Sequence, residues 1–427
     1  MKVFNQFHFR RIAILFGFLS LLFVLLILTL RYSDSGQQFA IKAHQYIEQN
    51  KPQNTGIHRY ILHTIELVLS AVPSPSLIEY DTQYLDVGFS PNRLVDESEM
   101  SFTRQFTVGD EQQLSKAMKR ASAGDVIQIL PGEYTIDKRL TLGNSGIQNN
   151  PIRVIASAAG RVVFNISTTE GIYIDKAFWH FEGIVFKGVC VEHRRCEHAV
   201  HLYGDADHVF IINNQFINFN AAIKSNGNYQ SMPAKFPDYV TVSYNDIYNT
   251  SIRQTRSPSS PIDVVGGNNW LVENNFIADF ARKVVRRTSV TYGAFLKGGG
   301  TAGVFKSNLV NCSWQLPYQS HLDVRVGLSL GNGGTESAYC QSNQCEFEHN
   351  NGKIIDNIVL NCLNDVSIYL NKAAATQIRG NTLLNSLGID ARFKQTSVSI
   401  RNNTIQGRVL ARDGAFISER DNVMVDN

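Results

Sequence analysis

The sequence predicts an all-β protein, a right-handed parallel β-helix with an N-terminal capping helix, preceded by a transmembrane helix and a short helical segment. A short motif of a small polar residue, any residue and an apolar residue recurs through residues 183–424. Each copy follows a second short stretch in which polar and apolar residues alternate, which is typical of a strand. The repeat has neither the leucine framework nor the paired helices of other solenoids, so a parallel β-helix fits best.

The motif sets the register of the predicted coils. Most copies begin about 20–30 residues apart, and a longer step separates Ser307 from Asn357. Asparagines stacked at a turn can donate hydrogen bonds from coil to coil and satisfy buried backbone groups, so we interpret most of them as structural. The copies begin at Gly183, Asn214, Asn245, Asn274, Ser307, Asn357, Asn381, Asn403 and Asn422.

The first hundred residues differ in character from the repeat. Ile12–Leu30 is an uncharged apolar run that follows basic residues, and its length matches the ~20 residues that a membrane-spanning helix needs. We expect an uncleaved membrane anchor at 1–35, with a cleaved signal peptide as the alternative. The basic flank predicts that the rest is exported, to the periplasm or the exterior. A helical segment and an extended linker follow at 36–100, and the β-helix domain occupies 101–427.

The domain is expected to begin with an amphipathic capping helix. Leu114, Ala117, Met118 and Ala121 recur at helical spacing and form one apolar face. The strand, helix, strand and turn predicted from Phe102 onwards therefore precede the regular coils.

Four of the six cysteines form two close pairs, each flanking a polar loop. In an oxidising compartment, this spacing predicts loop-closing disulfides between Cys190 and Cys196 and between Cys340 and Cys345. Free thiols are the alternative.

The other two cysteines, Cys312 and Cys362, fall in one column of neighbouring coils. We interpret them first as stacked buried cysteines and second as a disulfide between coils. The cysteine spacings match no common zinc site, and no metal site is predicted.

Alternation along the second strand of each coil assigns one set of side chains to the outer face. In "AFLK", Ala294 and Leu296 point into the core, so Phe295 and Lys297 point outwards. Because coils lie ~4.8 Å apart, this face is a stripe of polar, basic and aromatic groups. Its other members are His201, Tyr203, Lys224, Asp263, Ser329, Tyr369, Asn371, Asp390, Arg392 and Arg412.

Interrupting loops add positive charge beside this stripe. The segment "ARKVVRRTS" covers residues 281–289, and the loop 312–327 carries His321 and Arg325. A long basic groove suits an acidic polysaccharide, whereas an exported protein rarely meets nucleic acid. Solvated surface charge is the alternative for Arg282–Arg287. Substrate contacts are predicted from Lys224, Arg286, Arg287, His321, Tyr369, Asn371 and Arg392.

The predicted solenoid, its capping helix and "LPGEYTI" resemble the β-helical polysaccharide lyases, in particular the alginate lyase and chondroitinase B group. In that family a lysine at the end of an outward strand is the base, and a strand with asparagine, any residue and an apolar residue follows it. "FLKGGGTAGVFKSNLV" is similar to this pattern and puts Lys297 in the place of the base. The resemblance covers residues 102–427 in architecture, but only a short segment in motif.

The sequence departs from that family at two places. The family has an arginine on the following coil, where "LSLGNGG" has Gly331, and it has acidic calcium ligands shortly before the lysine, where "RRTSVTYGAF" has no carboxylate. Calcium ligands are therefore not identifiable, and no cofactor is predicted. Either Arg325, Arg286 or Arg392 takes over the neutralising role, or catalysis is lost. We take Lys297 and Arg325 as the catalytic candidates.

β-Elimination on a uronate requires removal of the C5 proton and neutralisation of the adjacent carboxylate. Lys297 can be the base only if burial or nearby positive charge, such as Arg282–Arg287, lowers its pKa towards ~7–8. Otherwise it is a surface lysine beside a glycine turn. Three functions remain open: a lyase for an acidic polysaccharide, a non-catalytic binding or scaffold protein of the cell envelope, and a uronan C5-epimerase. Asp263 and Asp390 lie several coils apart, ~19 Å, too far for a paired glycosidase mechanism.

Overall fold

The computed structural model describes residues 76–79, 85–93, 102–256, 258–284, 288–341 and 344–425. The predicted anchor Ile12–Leu30 and the predicted helical segment 36–72 lie outside these residues. Within them, no helix combines the length and apolarity needed to cross a membrane.

The described strands form sheets I, II and III, with twelve, ten and eleven strands, and one small sheet of three. Sheet I contains Gln105–Val108, Val126–Ile129, Ile152–Ala156, Trp179–Glu182, Phe210–Ile212, Thr241–Ser243, Leu271–Glu273, Val304–Lys306, Lys353–Ile355, Thr376–Arg379, Ser397–Arg401 and Phe416–Arg420. Sheet II contains Leu140–Thr141, Glu170–Ile174, His198–Tyr203, Ile223–Asn226, Ile262–Val265, Ser289–Lys297, Asp323–Leu330, Ile368–Asn371, Gly388–Arg392 and Arg408–Arg412. Sheet III contains Gly132–Ile136, Val162–Ile166, Ile184–Gly188, Gln215–Ile217, Asp246–Tyr248, Phe276–Ala278, Leu309–Asn311, Ile358–Leu360, Thr382–Leu384, Thr404–Gln406 and Val423–Val425. The small sheet contains Gly300–Thr301, His349–Asn350 and Ala373–Ala374.

The chain visits sheets I, III and II in turn, and each strand pairs in parallel with its equivalents in the neighbouring coils. Gln215–Ile217, for example, lies between Ile184–Gly188 and Asp246–Tyr248. This topology confirms the predicted parallel β-helix. Inward residues of all three sheets meet in one continuous core along the axis.

The amphipathic helix forms at Glu111–Arg120 and covers the first coil, as predicted. Asp110 caps its start by accepting a hydrogen bond from the backbone of Gln113 at 2.8 Å. Leu114 and Met118 of the apolar face are fully buried against the strands.

A ladder of buried asparagines runs along the turn that precedes sheet III. Within it, Asn275 Nδ2 donates to Asn308 Oδ1 at 2.9 Å, and the same nitrogen also reaches the carbonyl oxygens of Val242 and Glu273. The Asn275 Oδ1 accepts from the backbone and side-chain N–H groups of Asn245. Each amide thus satisfies backbone groups that the solenoid removes from water. The members are Asn214, Asn245, Asn275, Asn308, Asn357, Asn381, Asn403 and Asn422.

The predicted register was wrong by one residue in three coils, those assigned to start at Gly183, Asn274 and Ser307. Strand pairing aligns Ile184, Asn275 and Asn308 with the other starts instead. Asn274 and Ser307 are each followed by a second small polar residue, so the motif alone fits either register. The first residue of each of these pairs adopts a left-handed backbone conformation, with φ of 54° at Asn274 and 52° at Ser307, and turns the chain into the ladder.

All six cysteines are paired in disulfides. The predicted Cys190–Cys196 and Cys340–Cys345 bonds are confirmed. Cys312 and Cys362 are bonded as well, so our first interpretation of this pair as stacked thiols was wrong. Parallel pairing of the neighbouring coils brings their Cα atoms within 5.0 Å, a distance suited to a disulfide.

The described parts of the linker, 76–79 and 85–93, lie along the outside of sheet III. Ser76 O accepts from Asn385 Nδ2 at 2.9 Å, and Ile78 N–H donates to Asn361 Oδ1 at 2.9 Å. Further along the linker, Ser90 N–H reaches Asn213 Oδ1 at 2.8 Å. This segment therefore runs opposite to the coil order, and its Leu85 and Val87 pack on the outer face of sheet III.

We expect Asn275→Ala to lower the free energy of unfolding by about 3 kcal/mol, because it strands several buried donors and acceptors at once. Asn350→Ala, at an exposed strand position, is the control and should change it by less than about 0.5 kcal/mol. Denaturant unfolding monitored by circular dichroism measures both. Equal effects of the two variants would contradict a stabilising role for the ladder.

Candidate active site

The outer face of sheet II carries the predicted stripe. Strand pairing aligns His201, Lys224, Asp263, Phe295, Ser329, Tyr369 and Asp390 in one column. A second column, two residues later along each strand, contains Tyr203, Asn226, Val265, Lys297, Gly331, Asn371 and Arg392. The alternation was predicted correctly, but Phe295, Ser329, Asn371 and Asp390 are buried. The turn 331–334 folds back over Ser329, whose Oγ accepts a hydrogen bond from Asn332 N–H.

Lys297 ends its strand and is half-buried on this face. Its Nζ donates a hydrogen bond to the carbonyl oxygen of Gly334 at 3.0 Å and lies 5.5 Å from the centroid of the Phe295 ring. Nearby, Lys224 Nζ and Asp263 Oδ1 form an ion pair at 2.6 Å. The lysine therefore lies in a partly closed polar site.

Burial lowers the pKa of Lys297 below the ordinary value for lysine. The charge of Asp263 opposes this shift, that of Lys224 adds to it, and that of Glu348 opposes it. We expected the positive charge of Arg282–Arg287 to lower the pKa of Lys297. Lys297 ends its strand, whereas Arg282 comes before the first residue of that strand, Ser289. The two ends of the strand are roughly 26 Å apart. Desolvation by the covering loop is the main cause.

That loop, residues 331–348, is held in place by Glu348. This carboxylate is 1% exposed and accepts hydrogen bonds from Gly298 N–H at 3.1 Å and from Thr335 N–H at 2.7 Å. The Cys340–Cys345 disulfide closes the tip of the loop. Glu348 thereby fixes both the turn that follows Lys297 and the segment that supplies its carbonyl partner.

The first position of the same loop, residue 331, requires a glycine. Its φ is +101°, and an added Cβ would lie 2.0 Å from the carbonyl oxygen of Asn371. Arginine, which the resembled family has here, therefore cannot take this position with the loop folded as it is.

On the other side of the turn 331–334, a cavity of about 700 Å³ opens on the same face. Tyr369, Asn371 and Arg392, three of the predicted substrate contacts, line it. Arg412 also lines it and forms an ion pair with Asp390, with Nε 2.9 Å from Oδ1. The stripe thus has two parts, one at Lys297 and one at Arg392.

Arg325 was predicted as a catalytic residue, and the structure places it elsewhere. It is 0% exposed and forms an ion pair with Asp323 at 2.8 Å. Its Nη atoms donate to the carbonyl oxygens of Cys312, Leu316 and Pro317, each at 2.8 Å. With these partners, Arg325 holds the loop before its strand and does not face the groove.

Arg325 was expected in a loop beside the groove, but it lies within the strand Asp323–Leu330. The inner and outer faces of this strand reverse at Gly327 and at Gly293, which lies next to it on the neighbouring strand. Beyond them Tyr292 and Val326 line the outer cavity, although Ala294 and Leu328, of the same parity, lie in the core. An added Cβ on Gly327 would lie 2.5 Å from the carbonyl oxygen of Ser367.

The other predicted contacts are dispersed. Lys224 lies on the same face, two coils from the Lys297 strand, and its charge adds to the lowering of the Lys297 pKa. His321 is half-buried in the turn before its strand and does not line the cavity. Arg286 and Arg287 lie outside the described residues. The sequence analysis missed Glu348 and Tyr292. Glu348 reaches the site only because a long loop folds back, and Tyr292 faces outwards only because the strand reverses its faces at the glycine.

Among the described residues, no group of three or more His, Cys, Asp or Glu side chains is arranged to hold a metal ion. The carboxylates nearest Lys297, Asp263 and Glu348, are engaged with a lysine and with backbone N–H groups.

Residues 102–274 match the family model described as Pel9A-like, right handed beta helix region. Pectate lyase L of Dickeya chrysanthemi is 34% identical over 82 residues, 16% of this chain and 19% of the relative. Pectate lyase L of Dickeya dadantii (strain 3937) is 32% identical over 84 residues, 16% of this chain and 20% of the relative. The chain thus matches about a fifth of the length of these curated relatives.

Among solved structures, pectate lyase Pel9A has a TM-score of 0.49 at 16% identity, covering 76% of this chain and 79% of its own. The chain is a parallel β-helix protein. More particularly, its sequence matches make it similar to pectate lyases, within the class of β-helical polysaccharide lyases that the sequence indicated.

We expect Arg325→Ala to destabilise the fold by about 3–5 kcal/mol, because it leaves Asp323 buried and uncompensated. Asp323→Asn combined with Arg325→Ala should recover part of the loss, since it removes the stranded charge. Thermal unfolding measures both variants. A stable Arg325→Ala protein with weakened polymer binding would instead mean that this arginine faces the substrate.

Proposed function

We propose that this protein binds an acidic, uronate-containing polysaccharide along the outer face of sheet II and cleaves it by β-elimination, with Lys297 as the base. The main support is that Lys297 is half-buried at the outward end of a strand, and that this burial lowers its pKa. The match to pectate lyase sequences supports an acidic sugar chain as the substrate class.

In the proposed reaction, the neutral Lys297 amine takes the C5 proton of a bound uronate. The electrons of the C5–H bond form the C4–C5 double bond, the C4–O bond breaks, and the departing oxygen takes a proton from water. Lys224, on the same face two coils from the Lys297 strand, takes the neutralising role that we first assigned to Arg325. A cation near the substrate carboxylate stabilises the negative charge that develops in the transition state.

One observation favours a second function, that of a non-catalytic polysaccharide-binding protein. The Lys297 ammonium already donates to Gly334, and Gly331 leaves no room for an arginine next to it. On this alternative, Lys297 anchors the loop 331–348, and the groove only binds the polymer.

Incubation with a panel of uronic-acid polymers tests the two functions, with the unsaturated product followed by absorbance. Lys297→Ala should lower turnover by at least about 100-fold, the low end of what a general base contributes. It should leave polymer binding nearly unchanged. Lys353→Ala, at an equally half-buried lysine on sheet I, is the matched control. Binding without product from any polymer would favour the binding protein, and inversion at C5 without product would indicate an epimerase.

The rate should rise with pH through the pKa of Lys297, because only the neutral amine can accept the proton. Since burial lowers that pKa, the rise should be centred below the ordinary lysine value of about 10.4. The pH profile of kcat/KM measures this point. A profile that falls over the same interval would contradict a lysine base.

A further inference from the structure

The first coils of sheet II carry a second group of polar and aromatic side chains on the outer face. We name it the His201 cluster. Its members are Arg139, Glu170, Tyr173, His201, Tyr203 and Asn226. Neighbouring strands bring them together, since Tyr173 pairs with His201, and Tyr203 pairs with Asn226.

Glu170 organises the polar side of the cluster. Its two carboxylate oxygens accept from Arg139 Nη1 and from His201 Nδ1, each at 2.7 Å. These partners lower the pKa of Glu170 to about 2, the hydrogen bond from His201 being the largest cause, so the carboxylate stays charged. The other imidazole nitrogen of His201 lies 3.2 Å from Asn226 Oδ1. The imidazole is therefore held in one orientation.

Aromatic rings form the other side. The Tyr173 centroid lies 5.6 Å from that of His201 and 5.7 Å from that of Tyr203. The Arg139 guanidinium lies 4.5 Å above the Tyr173 ring and keeps 49% of its side chain exposed. None of these side chains belongs to the hydrophobic core, and rings beside a few fixed polar groups are typical of ligand sites.

We propose that the His201 cluster is a second subsite for the acidic polysaccharide, which binds a uronate carboxylate through Arg139 and the sugar ring against Tyr173 and Tyr203. The identity of the ligand rests on the proposed function of this face. Tyr203 and Lys297 belong to one column and are separated by three coil spacings, or ~14 Å. One extended chain can therefore occupy both places, with the Lys224–Asp263 pair between them.

The spacing predicts a dependence on chain length. The Arg139 guanidinium lies over Tyr173, one coil before Tyr203, so a ligand must span four coil spacings, ~19 Å, to contact both Lys297 and Arg139. A disaccharide cannot contact both. Losing Arg139 should therefore weaken only the longer ligands.

Lys306 provides a matched control on sheet I. Its side chain and that of Arg139 are both 49% exposed, and each is ion-paired to a glutamate that is 21% exposed. Removing either cation changes the net charge by the same amount, but only Arg139 faces the proposed subsite.

The experiment titrates uronate oligosaccharides of increasing length into the full chain by calorimetry, with Lys297→Ala present throughout so that no ligand is cleaved. Adding Arg139→Ala should raise the Kd of long ligands about tenfold, the effect of one hydrogen bond to a charged group. It should leave the Kd of disaccharides unchanged, and adding Lys306→Ala should have no effect at any length. His201→Ala should reproduce the length dependence.

The subsite would be overturned if Arg139→Ala and Lys306→Ala weakened binding equally, if the loss were the same at every length, or if no ligand bound. The outcome is independent of turnover. A length-dependent loss in a protein that forms no unsaturated product would refute the Lys297 chemistry and still support the subsite. Turnover that depends on Lys297, with no effect of Arg139→Ala on binding, would refute the subsite alone.

Discussion

Parallel hydrogen bonding between successive coils is the constraint on which the rest of this molecule depends. It places equivalent residues of neighbouring coils ~4.8 Å apart and gives every outward column a fixed direction. The buried asparagine ladder secures this register, because each amide bonds both to the next amide and to backbone groups that no water can reach. Groups that are distant in sequence, such as Tyr203 and Lys297, therefore share one straight column.

The loop 331–348 divides the outer face of sheet II into two parts. It begins at Gly331, folds over Ser329, and brings the Gly334 carbonyl to Lys297. Burial of the lysine lowers its pKa. The loop also separates the Lys297 part of the face from the cavity around Tyr369 and Arg392. A single insertion between two coils thus creates both the candidate base and the boundary between two binding regions.

Much of the fold could be predicted from the sequence, because a narrow core admits only apolar inward residues and the strands alternate with a period of two. The two outward columns, one with His201 and Lys224 and the other with Lys297, follow from that rule. It fails where the backbone departs from regular pairing. Asn274 and Ser307 were shifted by one because a polar neighbour fits the motif as well, and the bonded ladder selects the neighbour.

The candidate site was less predictable, because it depends on contacts between residues far apart in the chain. Arg325 was assigned to the loop 312–327, but it lies in the strand Asp323–Leu330 and is buried with Asp323 and three carbonyl groups of the preceding loop. Glu348 lies in an irregular loop, and its role follows only from its hydrogen bonds to Gly298 and Thr335. Lys297 was predicted from its strand position, but the cause of its lowered pKa is burial by a distant segment and not the basic run before its strand.

The central claim is that an acidic sugar chain lies along the outer face of sheet II, with a uronate at Lys297. A crystal structure of the Lys297→Ala protein with a uronate oligosaccharide tests it most directly. The account predicts a chain that runs across the coils of sheet II, with a uronate C5 next to residue 297 and a second sugar against Tyr173 and Tyr203. An oligosaccharide bound to sheet I, or bound to sheet II with no uronate within reach of residue 297, would contradict it.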